Sequence, residues 1–362
     1  MEFVLTELIE RVMTARAAQR PVHIRGGGTK DFYGEPGSLQ GATNHSVLDM
    51  SAYHGVVNYQ PPELVLTVRA GTRLAEVERL LDEHGQMLAF EPPRFGPDST
   101  VGGCVAAGLS GPRRAAAGGL RDFILGAKLL DSSGSVLEFG GEVMKNVAGY
   151  DMSRLLAGSM GIFGALVEVS IKVVPKPLVE KTARLDVDEA GALALFNQWR
   201  GKPLPVSATA WVPGEAPALW VRLSGSAPAV DAGARVVGGT EADSDEAGPF
   251  WDSLRDHTHP FLRSCPLWRL AVPPQVDPLG LGPSLIEWNG GQRWLAQSLE
   301  AGALRERVAR LGGHATLFRP GADNNAPVFH PPAPGLMAIS RRLKHALDPV
   351  GIFNPKRLFS EF

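Results

Sequence analysis

The sequence predicts an α+β protein, and three observations lead to that class. Between residues 22 and 175, glycine loops alternate with short runs rich in β-branched residues. From residue 188 onward, strand-like runs and helical segments follow one another, which is typical of an antiparallel sheet that carries helices. A chain of 362 residues is also too long for one ordinary domain. We therefore expect two α+β parts and a C-terminal segment.

The elements of the first part follow from apolar spacing and from turn residues. An N-terminal stretch, 1–19, has the apolar spacing of an amphipathic helix and acids in its early turns. Thr72 fits the N-cap of a second helix, which Gly85 ends. Strands are predicted at 22–25, at 64–70, in a hairpin at 123–139 and at 165–174. Prolines close the last of these strands, and we place the first domain boundary there.

The second part begins with a helix at 188–201, with Asp188 as its N-cap. The stretch 225–248 is small and polar, and it predicts a helix followed by a loose loop. A further helix is expected at 299–311, and the last one at about 335–347. Strands are predicted at 206–212, 219–223, 267–272 and 285–288.

Composition excludes several classes of protein. A net charge of −2 offers no basic face to nucleic acid. The two cysteines, Cys104 and Cys265, can form neither a disulfide framework nor a conventional four-thiolate iron–sulfur cluster. The N-terminus is acidic where a secretion signal is basic, and no apolar stretch approaches the roughly 20 residues that span a bilayer. We expect a cytoplasmic protein, and attachment to a membrane through another subunit stays open.

Two glycine loops are the clearest chemical signal. The first, 25–30, reads Arg-Gly-Gly-Gly-Thr-Lys, and the second, 98–103, reads Asp-Ser-Thr-Val-Gly-Gly. Neither matches the Rossmann fingerprint or the Walker loop. Backbone amides without a Cβ let a diphosphate approach closely, and a Ser or Thr cap suits the start of a helix. A single triple glycine is more often a tight turn, but two such loops suit the two phosphates of a dinucleotide.

Further motifs follow in a fixed order. A Gly-Tyr-Asp motif ends the stretch 140–151, and Gly-Ser-Met-Gly-Ile-Phe-Gly at 158–164 leads into a strand that ends in Lys-Val-Val-Pro-Lys-Pro. Asp-Pro-Val-Gly-Ile-Phe-Asn-Pro follows near the C-terminus, at 348–355. In this order the motifs resemble the FAD-binding domain of the vanillyl-alcohol-oxidase, or PCMH-type, flavoproteins. The resemblance covers roughly residues 20–180 and the last 30.

The resemblance implies a domain organisation and a set of FAD-binding residues. It implies a PCMH-type FAD-binding domain of two α+β subdomains at 1–178, an antiparallel α+β cap domain at 179–330 and a C-terminal return to the flavin at 331–362. The residues that it implies for the cofactor are Arg25, Gly26, Gly27, Gly28, Thr29, Asp98, Ser99, Thr100, Gly102, Gly103, Gly108, Gly158, Ser159, Gly161, Val167 and Asn354. Of these, the glycine loops would bind the pyrophosphate and Asn354 would approach the isoalloxazine.

The resemblance also predicts how FAD is attached and how the glycine loops respond to mutation. Covalent members of the family commonly use a His just after the first glycine loop, or a nearby Cys. Here Thr29 and Lys30 follow the glycines, so non-covalent FAD is expected. A bulky residue at Gly102 or Gly103 should occupy pyrophosphate space and meet a positive φ, whereas Gly191 should tolerate substitution.

Finer matches at 57–65, 108–114, 140–151 and 312–316 resemble one branch of the family, the FAD-binding subunits of bacterial glycolate oxidases. That branch implies oxidation of glycolate to glyoxylate, a homologous catalytic flavin subunit, and electron transfer to an iron–sulfur subunit. Related dehydrogenases carry a His-rich cap motif, of which only His314 could match here. No metal site is expected, because one imidazole is too few ligands.

Catalytic residues therefore stay open. Oxidation of a 2-hydroxy acid needs a cation for the carboxylate and a base for the hydroxyl proton. The candidates are His314, Arg319 and Arg269, with Arg222 as a further cation; taken singly, each is better explained as a solvated or salt-bridged side chain. Two other hypotheses remain: a self-sufficient FAD-dependent oxidase or dehydrogenase of another alcohol or hydroxy acid, and a structural subunit whose flavin site has decayed.

Overall fold

The computed structural model describes residues 1–35, 45–141, 151–321 and 326–362. In the first part of the chain, short strands alternate with short helices, as the glycine punctuation predicts. The elements are α1 (Glu2–Ala17), β1 (Val22–Arg25), β2 (Ser46–Asp49), β3 (Val56–Gln60), β4 (Val65–Arg69), α2 (Leu74–Glu83), β5 (Gln86–Met87), α3 (Val101–Ala107), α4 (Arg114–Ala117), β6 (Ile124–Leu130), β7 (Val136–Gly140), α5 (Met152–Leu156), β8 (Ala165–Lys172) and β9 (Val174–Pro175).

These strands form a five-stranded antiparallel sheet and two small ribbons. The sheet order is β3-β4-β8-β6-β7, so β8 lies in the centre, and all but the last of its residues are buried. Leucine and valine side chains of α2 and α3 pack with those of β4 and β8 in one core. Strands β1 and β2 pair in parallel as a separate ribbon, and β5 pairs with β9.

The second part is one antiparallel sheet with helices, as predicted. Its elements are β10 (Val179–Leu185), α6 (Glu189–Trp199), β11 (Val206–Val212), β12 (Ala218–Gly225), α7 (Ala227–Val237), β13 (Thr240–Glu241), α8 (Ser244–Arg255), β14 (Leu267–Ala271), β15 (Ser284–Glu287), β16 (Gln292–Leu295), α9 (Ala301–Arg310) and β17 (His314–Arg319). The strand order is β13-β10-β12-β11-β15-β16-β14-β17. Every described pairing within this sheet is antiparallel.

The C-terminal segment returns to the first part through α10 (Pro334–Leu347). Phe353 bridges Val22 of β1, and the amide of Asn354 donates to the carbonyl of Val22. A buried ion pair holds this return in place: Lys344 Nζ lies 2.7 Å from Asp348 Oδ2. The same ammonium donates to the carbonyls of Ile162 and Phe353, at 2.6 and 2.9 Å.

An ion-pair network joins the first part to the second sheet. Arg113, which follows α3, donates to Glu180 of β10 at 2.8 Å and to Glu91 at 3.4 Å. Arg222 of β12 donates to both Glu91 oxygens, at 2.7 and 2.9 Å. Both arginines are buried. Arg222 is therefore a salt-bridged side chain, which was the alternative to its role as a cation for the substrate.

Three local predictions were wrong. Arg73, not Thr72, is the N-cap of α2, because the Thr72 hydroxyl instead donates to the Arg69 carbonyl at 2.7 Å. The predicted loose loop before residue 248 contains the start of α8, which continues through Pro249 to Arg255. Burial of Trp251 and Leu254 offsets the hydrogen bond that proline removes. Strands β2, β3, β5, β10, β13, β16 and β17 were not predicted.

Candidate functional site

A cavity lies where β1, the two glycine loops and the C-terminal return meet. The space between its lining atoms, open solvent at its mouth included, is about 780 Å³. Ten of the predicted cofactor residues line it: Arg25, Gly26, Gly27, Gly28, Thr29, Thr100, Gly102, Gly103, Gly161 and Asn354.

The two glycine loops are pressed against each other. A Cβ at Gly26 would overlap the Thr100 hydroxyl, and a Cβ at Gly27 would overlap the Asp98 carbonyl. Thr100 caps α3 by accepting from the Gly103 amide at 3.2 Å, as predicted. No described hydrogen bond is donated by the backbone amides of Gly26, Gly27 or Gly28. These N–H groups at the edge of the cavity are therefore available to bind an anion.

Lys30 is a cavity residue whose role sequence reasoning missed. Its ammonium reaches from the first loop to the second, where it donates to Ser99 Oγ at 2.6 Å, and it lies 3.4 Å from the Arg94 carbonyl. Desolvation lowers its pKa, and no described salt bridge neutralises it. A lysine held in a cavity without a carboxylate partner fits an anionic ligand.

Two more cavity residues were missed, His23 and Arg357. Burial lowers the pKa of His23 to about 4, so the imidazole is neutral at pH 7. Its Nδ1 is buried and has no hydrogen-bond partner in the described ranges. A buried polar atom without a partner is expected to meet a ligand or water. Arg357 is buried and donates to the Lys30 and Asp31 carbonyls, at 3.2 and 2.9 Å.

Asn354 lines the cavity, and its side chain is hydrogen-bonded to the protein backbone. Its Oδ1 accepts from the Ile24 amide at 2.8 Å, and its Nδ2 donates to the Met160 carbonyl at 2.7 Å. Gly161 has a φ of +73°, and a Cβ there would come within 2.7 Å of Asn354 Nδ2. Asn354 therefore fixes β1 against the 158–161 loop, which positions the wall of the cavity.

The other predicted cofactor residues lie around the cavity, not on its surface. Ser99 is buried behind Lys30, and Asp98 pairs with Arg73 at 3.0 Å in a neighbouring cleft. Gly108 and Gly158 pack closely, since a Cβ at Gly108 would lie 2.7 Å from the Gly158 Cα. Ser159 and Val167 are buried in the same region. The motif at 140–151 falls largely on residues 142–150, which lie outside the described residues.

The reasons given for Gly102 and Gly103 need correction. Neither has a positive φ, since both lie in α3. A Cβ at Gly102 would be 2.7 Å from Ala70 Cβ, so that position faces β4. At Gly103 an added Cβ would meet only Thr100 Oγ1, at 3.2 Å, and would otherwise face open space. Gly191 is also a poor control, because its Cβ would approach the capping Asp188 carboxylate at 2.9 Å.

The three candidate catalytic residues do not converge on one point. Arg269 of β14 and His314 of β17 line a shared cleft with Arg114 and Trp288. Desolvation, then Arg269, lowers the pKa of His314, so this imidazole is mostly neutral at pH 7. Arg319 instead lines another cleft with His257, and its guanidinium lies 4.6 Å from the Phe32 ring centroid. In the described ranges no group of three His, Cys, Asp or Glu side chains could hold a metal ion.

The cavity passes a chemical test for FAD. It offers glycine amides that donate no described hydrogen bond, an ammonium without a described salt bridge and an imidazole nitrogen without a described partner. Met50, Ala70, Met160 and Leu166 give it an apolar portion as well. A dinucleotide needs both kinds of surface, since its phosphates are anionic and its rings are flat and apolar. The residues present therefore fit the cofactor.

Comparisons with known proteins agree with this geometry. Residues 5–140 match the family model of an FAD binding domain. The chain is similar to the glycolate oxidase subunit GlcE of Escherichia coli, with 42% identity over 98% of this chain and 97% of that protein. It is also similar to the glycolate oxidase subunit GlcD of Bacillus subtilis, with 30% identity over 49% of this chain and 37% of that protein.

The fold is shared with a solved structure of distant sequence. Alkyldihydroxyacetonephosphate synthase superposes with a TM-score of 0.68, covering 97% of this chain and 74% of the other, at 18% identity. At that identity the likeness concerns the fold alone. None of the helices in the described ranges combines the length and apolar character needed to cross a bilayer.

Proposed function

Since the chain belongs to the family of glycolate oxidase subunit GlcE, to which it is related over nearly its whole length, we propose that it is the FAD-binding subunit of a glycolate oxidase complex. The observation that carries this proposal is the cavity at the two glycine loops, which fits FAD and belongs to an FAD binding domain. As an FAD-dependent oxidoreductase subunit acting on CH–OH groups, it supports oxidation of glycolate to glyoxylate.

The residues that would hold FAD have separate tasks. The amides of Gly26, Gly27 and Gly28 and the ammonium of Lys30 would take the diphosphate. Gly161 and Asn354 would shape a further part of the wall, with Asn354 held by backbone contacts to Ile24 of β1 and to Met160. Bound FAD supplies a two-electron acceptor for substrate oxidation. We also propose domain boundaries at 178 and 330; the change from the first sheet to the second after β9 and the start of α10 at Pro334 support them.

We expect FAD to be held non-covalently. Cys104 is buried, and burial raises the pKa of its thiol to about 12, so it supplies no thiolate. His23 is the one histidine among the described residues that line the cavity, and it precedes the glycines. Acid precipitation should therefore release all the flavin into the supernatant, where absorbance measures it. Flavin that stays with the pellet would contradict this, and His23→Ala would then show whether His23 is the anchor.

The proposed partners are a homologous catalytic flavin subunit and an iron–sulfur subunit. The two cysteines of this chain form no disulfide, and one is buried while the other is exposed. A cluster held by four thiolates would therefore be bound by another chain. Attachment to the membrane through these partners, with this chain in the cytoplasm, belongs to the same proposal.

The proposal predicts that the isolated chain reduces its flavin poorly with glycolate. Hydride transfer needs the substrate carboxylate held and its hydroxyl proton removed, and a poorly placed substrate loses most of the rate. The candidates Arg269 and Arg319 lie in different clefts. Anaerobic titration should leave the flavin band nearly unchanged, and adding the two partner subunits should restore turnover.

Rapid, stoichiometric bleaching of the isolated chain would instead show a self-sufficient dehydrogenase. A colourless protein that takes up no FAD would favour the decayed structural subunit. In the assembled complex, His314→Ala tests whether this imidazole, which lines a cleft with Arg269, takes part in turnover. We expect turnover to persist; a large loss with FAD retained would give His314 a catalytic role.

A further inference from the structure

A second cleft, distinct from the flavin cavity, lies between the first part of the chain and the second sheet. We call it the arginine cleft, after Arg114 of α4 and Arg269 of β14. The space between its atoms, open mouth included, is about 1,650 Å³, and it shares no lining residue with the flavin cavity. Its described lining residues include no acid, and four of them are cationic: Arg114, Arg200, Lys202 and Arg269.

Trp288 joins the two arginines. The Arg114 guanidinium carbon lies 4.5 Å from the indole centroid, and that of Arg269 lies 5.4 Å from it. The indole N–H donates to the Gly111 carbonyl at 3.1 Å, which fixes the ring. Each cation–π contact stabilises its guanidinium, but the two contacts together bring two positive charges to one ring, and these charges repel each other.

Neither arginine is neutralised by a described salt bridge. Arg269 Nε donates to Gln292 Oε1 at 2.8 Å, and Gln292 in turn donates to Glu287 at 2.9 Å. Burial raises the pKa of Glu287 to about 7, so that carboxyl carries only part of a charge at pH 7. The acid beside Arg114 is Asp122, which accepts from the Gly119 amide at 2.8 Å and forms its described ion pair with Arg121, at 4.0 Å. Two positive charges thus remain together with little compensation.

We propose that the arginine cleft binds the carboxylate of a small organic acid between Arg114 and Arg269. A guanidinium is a planar fork that matches a carboxylate, and two forks at one place relieve their repulsion by sharing an anion. Arg114 comes from the FAD-binding part, whereas Arg269 and His314 come from the second sheet. The ligand would therefore bridge the two parts of the chain. Only the choice of glycolate as probe rests on the proposed function.

The experiment is a calorimetric titration of the full-length, FAD-loaded chain with glycolate, and with glycolamide as its uncharged counterpart. Wild type should bind glycolate and not glycolamide. Arg114→Gln and Arg269→Gln should each weaken glycolate binding about tenfold or more, the loss expected for a hydrogen-bonded charge. Arg235→Gln is the control, because Arg235 is an exposed arginine of α7 that does not line the cleft.

Three results would overturn the inference. The wild type could fail to bind glycolate, or it could bind glycolamide equally well. Alternatively, both arginine variants could bind glycolate with the affinity of the wild type. If glycolate does not bind and the variants instead lose co-purifying partner subunits, the cleft receives an acidic protein segment. FAD content and turnover of the assembled complex are measured on the same preparations. These two measurements test the proposed function separately, so the inference and the proposed function can fail independently. Thermal unfolding and the Arg269→Lys variant identify a loss of binding that is due to misfolding.

Discussion

Gly103→Val should remove FAD from an otherwise folded protein. A valine there would direct its methyl groups into the flavin cavity, since an added Cβ has open space apart from the Thr100 hydroxyl at 3.2 Å. Overpacking a filled site costs about 1–3 kcal/mol, or about a 5- to 150-fold loss of affinity. The flavin-to-protein ratio after purification, and the Kd on reconstitution, measure the effect.

Two other glycine variants separate loss of FAD from loss of folding. Gly102→Val should lower the stability of the apo-protein as well, because its side chain would collide with Ala70 of β4. Gly335→Val is the matched control: Gly335 is an exposed glycine in α10, with nothing within 4 Å of an added Cβ. Full FAD occupancy in Gly103→Val would refute the placement of the diphosphate at α3.

Lys344→Met should loosen the C-terminal return and with it the flavin. The substitution leaves the Asp348 carboxylate buried without its cation, which costs about 3–5 kcal/mol. Asp348 also accepts from the amides of Gly351, Ile352 and Phe353, so disturbing it disturbs the approach to Asn354. We expect a lower midpoint of thermal unfolding, faster proteolysis near the C-terminus and weaker FAD retention.

Arg342→Met is the control for this variant. Arg342 lies two residues before Lys344 in α10, but it is exposed and has no described ion pair. It should unfold and retain FAD like wild type. If Lys344→Met matched wild type in both respects, the buried pair would have no part in holding the return.

Local chemistry explains which parts of the site could be predicted. The glycine loops, the Thr100 cap and the Asp188 cap depend on residues within three positions of one another, and the structure has them. Strand β10 was missed because Glu180, Lys181 and Arg184 make its sequence look polar, although it is paired on both sides. Helix α8 was missed because Gly248 and Pro249 lie within it.

Contacts between distant residues account for the rest. Lys30 and Ser99 are 69 positions apart, and only the fold shows that their side chains form a hydrogen bond beside the cavity. Arg114 and Arg269 look like ordinary surface arginines until α4 and β14 bring them to Trp288. The direction in which a Cβ at Gly102 would point depends on how α3 is rotated about its axis against β4. A pattern in one sequence does not reveal that rotation.

The contact between Ile24 and Asn354, which are 330 positions apart, sets the order of events during synthesis. A ribosome that has released the glycine loops has still to make almost the whole second sheet before Asn354 emerges. The nascent chain can therefore build both loops but not the completed flavin cavity, so cofactor capture becomes a post-translational step. Closing so long a loop also favours slow folding.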